Sequence, residues 1–438
     1  EWASTAWGRT GIEIKSITTD SGGNSYITGN LRGDLDFGKI KLKKKNEVDV
    51  FIAKFNSSGK NVWAKNFGGG YQISTGEGIV TDTKGNVYLT GYYTAASITF
   101  GAVKLSGGEG FIVKFDTAGN ALWGKSFWGE FYGITTDYKD NVYITGFIKG
   151  SKYDNIVITK CEGINFFIAK YNSSGKLIWA KGTCGGVGHC ISSDKNGNVF
   201  VAGTYRDENL ILGKDTFSTF DKPCFFVAKY DTSGSVIWAK GPRKGGKTIP
   251  KSIVTDSKGC VLITGEFRTE FISFDNIKLE KEGETVWMEY AYADAFLVKY
   301  DADGNALWAK NIGGTKDDVA IGVVCDSNDN VFVAGDFQSP EILIDSTKLI
   351  NINTEPNADS PSANIFITKY NAAGTNTWSM GLPTPGFINC LAGICIDPEN
   401  SILLTGEVAS WPIKFGAFTV LHKENNYLFV SKLNFRER

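Results

Sequence analysis

Residues 78–91 read GIVTDTKGNVYLTG, and a related pattern, FIVKFDTAGNALWGK, follows over residues 111–125. It contains four short runs rich in Val, Ile, Thr, Tyr and Phe. The turns DTKGN (82–86) and DTAGN (116–120) separate the first run from the second and the third from the fourth. Such runs joined by Asp-x-x-Gly turns are typical of antiparallel strands. We therefore predict a four-stranded unit, with strands A to D.

The unit recurs seven times along the chain. The aspartate that opens the A-to-B turn marks each copy: Asp20, Asp82, Asp137, Asp194, Asp256, Asp326 and Asp397. A spacing of 55 to 71 residues is too long for a hairpin and typical of a propeller blade. We predict an all-β chain forming a single seven-bladed β-propeller over residues 1–438. The predicted units are about 12–70, 71–129, 130–186, 187–245, 246–314, 315–385 and 386–438.

The last unit has no strand D of its own. In the other six units strand D carries a tryptophan, at Trp63, Trp123, Trp179, Trp238, Trp308 and Trp378. The N-terminal sequence TAWGRTG (5–11) matches ALWGKSF (121–127) and would place Trp7 in that position. We expect a strand over about residues 3–11 to complete blade 7, because ring closure removes free sheet edges.

The amino-acid composition argues against several classes of function. Lys plus Arg number 46 against 47 Asp plus Glu, so no basic field for nucleic acid is present. No apolar run reaches the length of a membrane span, so we expect no membrane insertion. Two histidines, and no recognisable phosphate loop, nucleophile elbow or CxxC pair, favour a binding role without cofactor or metal. The acidic turns 301–305 and 326–330 lack the continuation of a calcium loop.

The repeat resembles a known family. The pattern (V/T)D-xxGN-VY-(I/V)TG followed by F-(I/V)-AKY-(D/N)-xxG-xxWAK is similar to the bacterial β-propeller repeat called SBBP and, more distantly, to the NHL repeat. The resemblance covers nearly the whole chain. It implies a secreted or surface-displayed bacterial protein with a binding or display role, and it supplies no catalytic motif.

Features shared by all units are expected to serve the fold. A lysine ends every strand C, and an aspartate ends every strand A. We assign both to turn capping and blade packing rather than to ion binding or catalysis. The eight cysteines are less regular, and an even number is compatible with an oxidising compartment. Cys184 and Cys190 flank a Gly-rich segment, and we name them as a candidate disulfide.

The units differ most in the B-to-C and D-to-A segments, which an antiparallel blade places on one face of the disc. We name the aromatic residues there as candidate binding residues: Trp287, Tyr290 and Tyr292 in the insertion of unit five, a second patch of Trp128, Phe131 and Tyr132, and Trp411. Aromatic side chains above a rigid scaffold suit glycan stacking or protein binding. Equally, these rings could pack the tops of the blades.

The predicted function is therefore a non-catalytic, extracellular or cell-surface propeller that binds a glycan or protein at this variable face. Two alternatives stay open. One is a polysaccharide lyase or glycosidase that uses carboxylates on the same face, because such enzymes need a spaced acid and base. The other is a structural spacer in a surface assembly.

Overall fold

The computed structural model describes residues 2–8, 11–68, 72–150, 152–153, 156–157, 163–206, 209–218, 223–242, 246–282, 291–353, 362–382, 388–408, 413–415, 418–420 and 427–434. Over these residues the chain is all-β, and seven four-stranded antiparallel blades form a seven-bladed β-propeller. The described part of the chain contains no helix that is long and apolar enough to cross a membrane.

In blades 1 to 7, strand A spans Ile12–Thr19, Ser74–Thr81, Gly129–Thr136, Gly186–Ser193, Thr248–Thr255, Asp318–Cys325 and Ile388–Ile396. Strand B spans Ser25–Leu31, Val87–Tyr93, Val142–Lys149, Val199–Tyr205, Val261–Phe267, Val331–Phe337 and Ile402–Val408. Strand C spans Asp49–Phe55, Gly110–Phe115, Ile164–Tyr171, Cys224–Tyr230, Asp294–Tyr300, Asn364–Tyr370 and Tyr427–Leu433. Strand D spans Asn61–Phe67, Ala121–Phe127, Leu177–Cys184, Val236–Lys240, Ala306–Ile312, Asn376–Leu382 and Trp2–Gly8. Each strand A contacts strand A of both neighbouring blades, so these strands surround the axis.

The N-terminal strand closes the ring, as predicted. It pairs antiparallel with strand C of blade 7, from Trp2 opposite Lys432 to Trp7 opposite Tyr427. The predicted register, however, is wrong. In blade 1 the strand C lysine, Lys54, pairs with the strand D tryptophan, and the equivalent Lys432 pairs with Trp2 rather than Trp7. The likeness of TAWG to ALWG was misleading because the pairing partner, not local similarity, sets register.

A tryptophan-on-glycine contact joins neighbouring blades at the rim. The strand D tryptophan of one blade packs its ring on the glycine of the next blade's C-to-D turn. The described residues include six such pairs: Trp2 on Gly59, Trp63 on Gly119, Trp123 on Gly175, Trp179 on Gly234, Trp238 on Gly304 and Trp308 on Gly374. In the Trp179 pair the indole N–H also donates to the Thr232 carbonyl at 3.1 Å. Blade 7 makes this contact with blade 1 through Trp2, so the same packing continues across the point where the ring closes.

The lysine and aspartate shared by the units form buried pairs within blades. Lys299 Nζ lies 2.8 Å from Asp256 Oδ2, and their side chains are 3% and 0% exposed. Lys114 and Asp82 pair in the same way at 3.1 Å. The aspartates also accept turn N–H groups, such as that of Cys260 on Asp256 at 2.9 Å. These contacts support the packing role assigned from the repeat.

The sequence did not reveal a two-stranded hairpin between strands B and C of every blade. These rim hairpins pair Leu35–Asp36 with Lys41–Leu42, Ser97–Phe100 with Val103–Ser106, Lys152–Tyr153 with Ile156–Val157, Leu210–Leu212 with Asp215–Phe217, Phe271–Phe274 with Ile277–Glu280, Glu341–Ile344 with Thr347–Ile350, and Ile413–Phe415 with Phe418–Val420. The first one pairs with strand D of blade 7, where Asp36 lies opposite Trp7. Much of the variable sequence therefore forms the outer rim rather than open loops.

Candidate functional site

Every strand A carries a β-bulge near its start, where its pairing with strand B shifts by one residue. The extra residue has no partner on strand B, and a bulge of this kind redirects a side chain. In blades 1 to 7 the bulge residues are Lys15, Glu77, Tyr132, His189, Lys251, Ile321 and Ala392. Each stands five positions before the aspartate that marks its unit. The same backbone position thus presents a different side chain in almost every blade.

The bulge residues of blades 1 to 5 line a cavity of about 400 Å³ on the axis, which strands A of all seven blades surround. These five residues, Lys15, Glu77, Tyr132, His189 and Lys251, form what we call the polar arc. An aliphatic side chain three positions before each marker aspartate also lines the cavity, at Ile17, Ile79, Ile134, Ile191, Ile253, Val323 and Ile394. Since the bulges lie in the first half of strand A, this cavity is nearer the face that carries the D-to-A connections.

Lys15 and Glu77 are neighbours in the polar arc. Lys15 pairs with Glu13, which also accepts a hydrogen bond from Asn30 Nδ2 at 2.9 Å. Burial acts to lower the pKa of Lys15, but Glu13 and Glu77 outweigh it and raise that pKa. Burial raises the pKa of Glu77 although Lys15 opposes the shift. The two side chains therefore present a charged donor and a carboxyl acceptor side by side.

Tyr132 and His189 add two uncharged polar groups. The Tyr132 hydroxyl donates to Glu130 Oε2 at 2.7 Å, and burial followed by this bond raises the tyrosine pKa. His189 Nε2 lies 2.9 Å from Thr204 Oγ1. Burial, assisted by the charge of Lys251, lowers the pKa of His189 to about 4. The imidazole is therefore neutral at pH 7, and the phenol remains protonated.

Lys251 is the most exposed member of the polar arc. Its Nζ lies 3.8 Å from Glu266 Oε1, and the other oxygen of Glu266 pairs with Arg268 at 3.1 Å. Arg268 also pairs with Asp317 at 2.7 Å. Lys251, Glu266, Arg268 and Asp317 thus form a series of opposite charges, so Lys251 offers a donor whose charge is partly compensated.

Two strand B carboxylates accept hydrogen bonds from strand A of the next blade, beside its bulge. Glu407 accepts the Ile14 N–H of blade 1 at 2.8 Å, and both oxygens of Asp336 accept the Leu391 N–H of blade 7 at 3.0 Å. Burial raises the pKa of both carboxyls to about 7. These bonds hold strand A of the next blade at its bulge, so they position the site.

At the opposite end of the channel, the last residues of the A strands repeat one contact between neighbouring blades. Side-chain hydroxyls there donate to the main-chain carbonyl of the preceding blade's equivalent residue. The links run from Thr19 to Ile396, Thr81 to Thr19, Thr136 to Thr81, Ser193 to Thr136 and Thr255 to Ser193, at 2.7–2.9 Å. This end therefore contributes to blade association, and the variation is concentrated at the bulge end. Among the described residues, no group of three or more His, Cys, Asp or Glu side chains could hold a metal ion.

The predicted aromatic residues that the structure describes, Trp128, Phe131, Tyr132 and Tyr292, differ in their exposure. Trp128 is 57% exposed, but Phe131 is fully buried against Tyr153 and Phe167, so its predicted surface role is wrong. Alternation along strand A points Phe131 between blades, whereas the bulge turns Tyr132 toward the channel. Of that patch, Tyr132 alone lines the cavity.

The patch of unit five is only partly described. Trp287, Tyr290 and Trp411 lie outside the described residues. Tyr292 is half-buried, and its hydroxyl accepts a hydrogen bond from Lys316 Nζ at 2.9 Å, with the same ammonium 4.7 Å from the ring centroid. The predicted stacking platform thus stays a prediction, and Tyr292 already packs against a cation.

The predicted disulfide between Cys184 and Cys190 is wrong. Cys190 is a buried free thiol whose Sγ lies 3.9 Å from the Ala202 carbonyl. The two cysteines belong to different blades, because Cys184 ends strand D of blade 3 and Cys190 lies in strand A of blade 4. Cys184 is disulfide-bonded, but its partner is none of Cys190, Cys224, Cys260, Cys325 and Cys395, which carry thiols.

Sequence reasoning missed the bulge residues, although a signal was present. The fifth position before the marker aspartate is Lys, Glu, Tyr, His, Lys, Ile and Ala in turn, whereas the four positions that follow it are more alike between units. Only the register shift shows that this varying position faces the axis.

No family model matches the chain. It is 25% identical over 346 residues to an uncharacterized WD repeat-containing protein of Acanthamoeba polyphaga mimivirus, which covers 64% of this chain and 24% of the viral protein. It is 26% identical over 164 residues to the regulatory protein FlaEY of Caulobacter vibrioides, covering 35% of this chain and 16% of that protein. The chain thus matches about a quarter or less of each relative's length.

Solved structures resemble the chain in fold. The Kuenenia stuttgartiensis hydrazine synthase matches with a TM-score of 0.51 at 9% identity, covering 90% of this chain and 93% of that chain. The Neurospora crassa Pan2 WD40 domain matches with a TM-score of 0.48 at 8% identity, covering 97% and 90%. At such low identity the likeness concerns the propeller fold alone.

Proposed function

We propose that the protein is a non-catalytic binding module whose ligand occupies the channel mouth formed by the bulge residues. The observation that carries the proposal is variation at one position of a repeated scaffold. A contact shared by all blades serves the fold, as Lys299 and Asp256 do, whereas function is found where a site departs from the scaffold's needs. The bulge position departs from the repeat in almost every blade. The expected partner is a protein or glycan.

The chemistry of the polar arc favours binding over catalysis. A general base at neutral pH works best with a pKa near 7, and that of His189 is lowered to about 4. Tyr132 is held as a neutral phenol by burial and by its bond to Glu130. Hydrogen-bonding groups of this kind orient a ligand without exchanging protons with it.

One observation favours the alternative of a polysaccharide-active enzyme. Glu407 and Asp336 have pKa values raised to about 7, within the range of a general acid. Their oxygens, however, accept the main-chain N–H groups of Ile14 and Leu391. A carboxyl that fastens two blades together is poorly placed to protonate a substrate, so binding is the preferred function.

We further propose a secreted or cell-surface location. The disulfide at Cys184 supports it, because disulfides persist mainly in oxidising compartments. Mass spectrometry of protein isolated from its native source under non-reducing conditions should find Cys184 oxidised. A free thiol at Cys184 in such a sample would contradict the proposed location.

The binding proposal is tested by obstructing the channel mouth. Lys251→Trp places a bulky ring at the most exposed position of the polar arc, and Lys258→Trp places the same ring at the exposed A-to-B turn of the same blade. Both variants and the wild type are applied to an array of neutral oligosaccharides, acidic oligosaccharides and synthetic peptides. We expect at least one class to bind, and binding to fall at least tenfold in Lys251→Trp but not in Lys258→Trp.

Two results would overturn the binding proposal. One is no binding to any class on the array, and the other is binding that Lys251→Trp leaves unchanged. Cleavage of an arrayed oligosaccharide, lost in Glu407→Gln, would instead support the enzymatic alternative.

A further inference from the structure

One member of the polar arc, Glu77, lacks a partner of opposite charge. The other four have polar partners outside the arc: Glu13 for Lys15, Glu130 for Tyr132, Thr204 for His189 and Glu266 for Lys251. No residue that the structure describes forms a salt bridge with Glu77. Burial raises its pKa, and the Thr75 hydroxyl and the more distant charge of Lys15 offset only part of that shift. Among the described residues that line the cavity, Glu77 is also the only carboxyl.

The charges around Glu77 increase this imbalance. Glu13 in blade 1 and Glu130 in blade 3 belong to the two blades that flank it, and both act to raise its pKa further. The ammonium of Lys15 opposes these carboxyls, but it already pairs with Glu13. Three carboxyls on neighbouring blades therefore share one ammonium, and the negative charge that is left over is that of the carboxyl that lines the cavity.

The second ammonium of the polar arc lies across the ring from Glu77. Lys251 belongs to blade 5 and Glu77 to blade 2, and three steps is the largest separation that two blades of a seven-bladed ring can have. The charge of Lys251 acts on His189 of blade 4, where it assists burial in lowering the imidazole pKa. A positively charged group placed beside Glu77 is therefore kept apart from Lys251 by the width of the cavity.

We propose that the ligand places an organic cation, an ammonium or a guanidinium group, beside Glu77 in the channel mouth. This inference rests on the proposed binding function and names its ligand class. An ammonium has three N–H donors and a guanidinium has five, so either one can donate to the Glu77 carboxylate. Such charge-assisted hydrogen bonds are stronger than those between neutral groups. Lys and Arg side chains of a protein partner and free aliphatic amines share this chemistry.

The lining and the volume of the cavity favour an organic cation over a metal ion or a bulky ligand. Calcium and magnesium take about six or more oxygen ligands, whereas Glu77 is one carboxyl among largely aliphatic neighbours. About 400 Å³ is near the lower limit of small-molecule pockets, which hold roughly 300–1,000 Å³. One long side chain or a small amine fits such a volume. Along strand A, Glu77 precedes Ile79 of the aliphatic ring, so a group that enters from the D-to-A face reaches Glu77 first.

The test compares side chains of similar length and different charge. Wild-type protein is titrated by calorimetry with the N-acetyl amides of lysine, arginine, glutamine, norleucine and glutamate, so that the peptide groups are the same in every probe. We expect the lysine or the arginine probe to bind at least tenfold more tightly than the neutral and anionic probes.

Butylammonium distinguishes the two sources of the cation, because it carries the charge of a lysine side chain without peptide groups. Binding as tight as that of the lysine probe would support the inference with a free amine as a sufficient ligand. Weaker binding than that of the lysine probe would support it with a protein side chain as the ligand.

Two glutamates of blade 2 provide a matched pair of variants. Glu77→Gln removes the charge that lines the cavity, and Glu109→Gln removes one that pairs with Lys149 at the surface. We expect Glu77→Gln to weaken binding of the cationic probes at least tenfold and Glu109→Gln to leave it unchanged. Since Glu77 is not held in a salt bridge, Glu77→Gln should not lower the melting temperature by more than a few degrees.

The outcomes separate this inference from the proposed function. Tighter binding of a neutral or anionic probe, or of an arrayed oligosaccharide, than of any cationic probe would overturn the cation assignment and leave the binding function standing. Cation binding that is equal in Glu77→Gln and Glu109→Gln would place the cation away from Glu77 and overturn the inference. Absence of all binding, on the array and in titration, would overturn both.

Discussion

Strands A and D of each blade come from the same repeated unit but behave differently. On strand D, at the rim, the tryptophan on the next blade's glycine is repeated six times, for example as Trp179 on Gly234. On strand A, at the axis, the bulge residue changes from Tyr132 in blade 3 to His189 in blade 4 to Lys251 in blade 5. Blade association depends on contacts between neighbours that any blade can supply, so these can be identical. A ligand on the axis meets all blades at once, so their side chains can differ.

The largest expected effect comes from removing the strand that completes the rim contact. Deletion of residues 1–8 removes strand D of blade 7, the Trp2 indole bond to the Ser57 carbonyl at 2.9 Å and the packing on Gly59. We expect loss of most of the free energy of unfolding, about 5–15 kcal/mol for natural proteins, or aggregation through the exposed edge. Urea denaturation of the truncated and full-length proteins measures the difference in the free energy of unfolding.

A synthetic peptide of residues 1–8 serves as the control for that deletion. Added in excess, it should restore part of the lost stability by binding to the edge of blade 7. An unchanged urea midpoint in the truncated protein would show that closure does not depend on the N-terminal strand.

A smaller effect isolates one tryptophan–glycine contact. Gly234 has φ +82°, and a Cβ added there would lie 2.8 Å from Trp179. Gly107 has φ +80° with nothing within 4 Å of the same position. Alanine at either site incurs the left-handed strain of about 1–2 kcal/mol, and Gly234→Ala adds about 1–3 kcal/mol of overpacking. Equal unfolding free energies for the two variants would refute a specific contribution of the tryptophan contact.

The smallest effect concerns the acid that fastens strand A of blade 1. Burial raises the pKa of Glu407 from 4.5 to about 7, so the folded state holds a proton that the unfolded state releases. This contribution is fully present below about pH 4.5 and is lost as the pH rises through about 7. Allowing for partial solvent screening, we expect about 1–2 kcal/mol to be lost over that interval.

Unfolding measured in steps from pH 4.5 to 7.5 checks this expectation. Glu407→Gln should flatten the decline, while Glu341→Gln, on an exposed rim hairpin, should leave the wild-type slope. If Glu407→Gln keeps the wild-type slope, then other buried carboxyls, such as Asp336, account for the pH dependence.

The repeat units could be predicted from the sequence, whereas the pairing of distant or very short strands could not. The seven units and the closing strand were visible because each turn signal lies within a few residues of its strands. The register of Trp2 was missed, since it depends on pairing with Lys432 at the other end of the chain. The rim hairpins were missed because their strands are only two to four residues long, as at Leu35–Asp36, too short to show periodicity.

The candidate site was missed for a related reason. Glu77 and Lys251 lie far apart in the sequence, and nothing local to either residue indicates that they share a cavity. The Cys184–Cys190 prediction was wrong for the converse reason. These two residues are close in sequence and were assigned to one loop, but they belong to two different blades.

The all-β class, the number of blades and the closure of the ring follow from the amino-acid sequence alone. These depend on turn chemistry and strand patterns that recur at each marker aspartate, from Asp20 to Asp397. Which side chains meet at the axis, and which are buried between blades, depends on how the strands pair and how the blades pack. A bulge is a mismatch between two paired strands, so the direction of Tyr132 or His189 exists only once strand B and the neighbouring blades are in place.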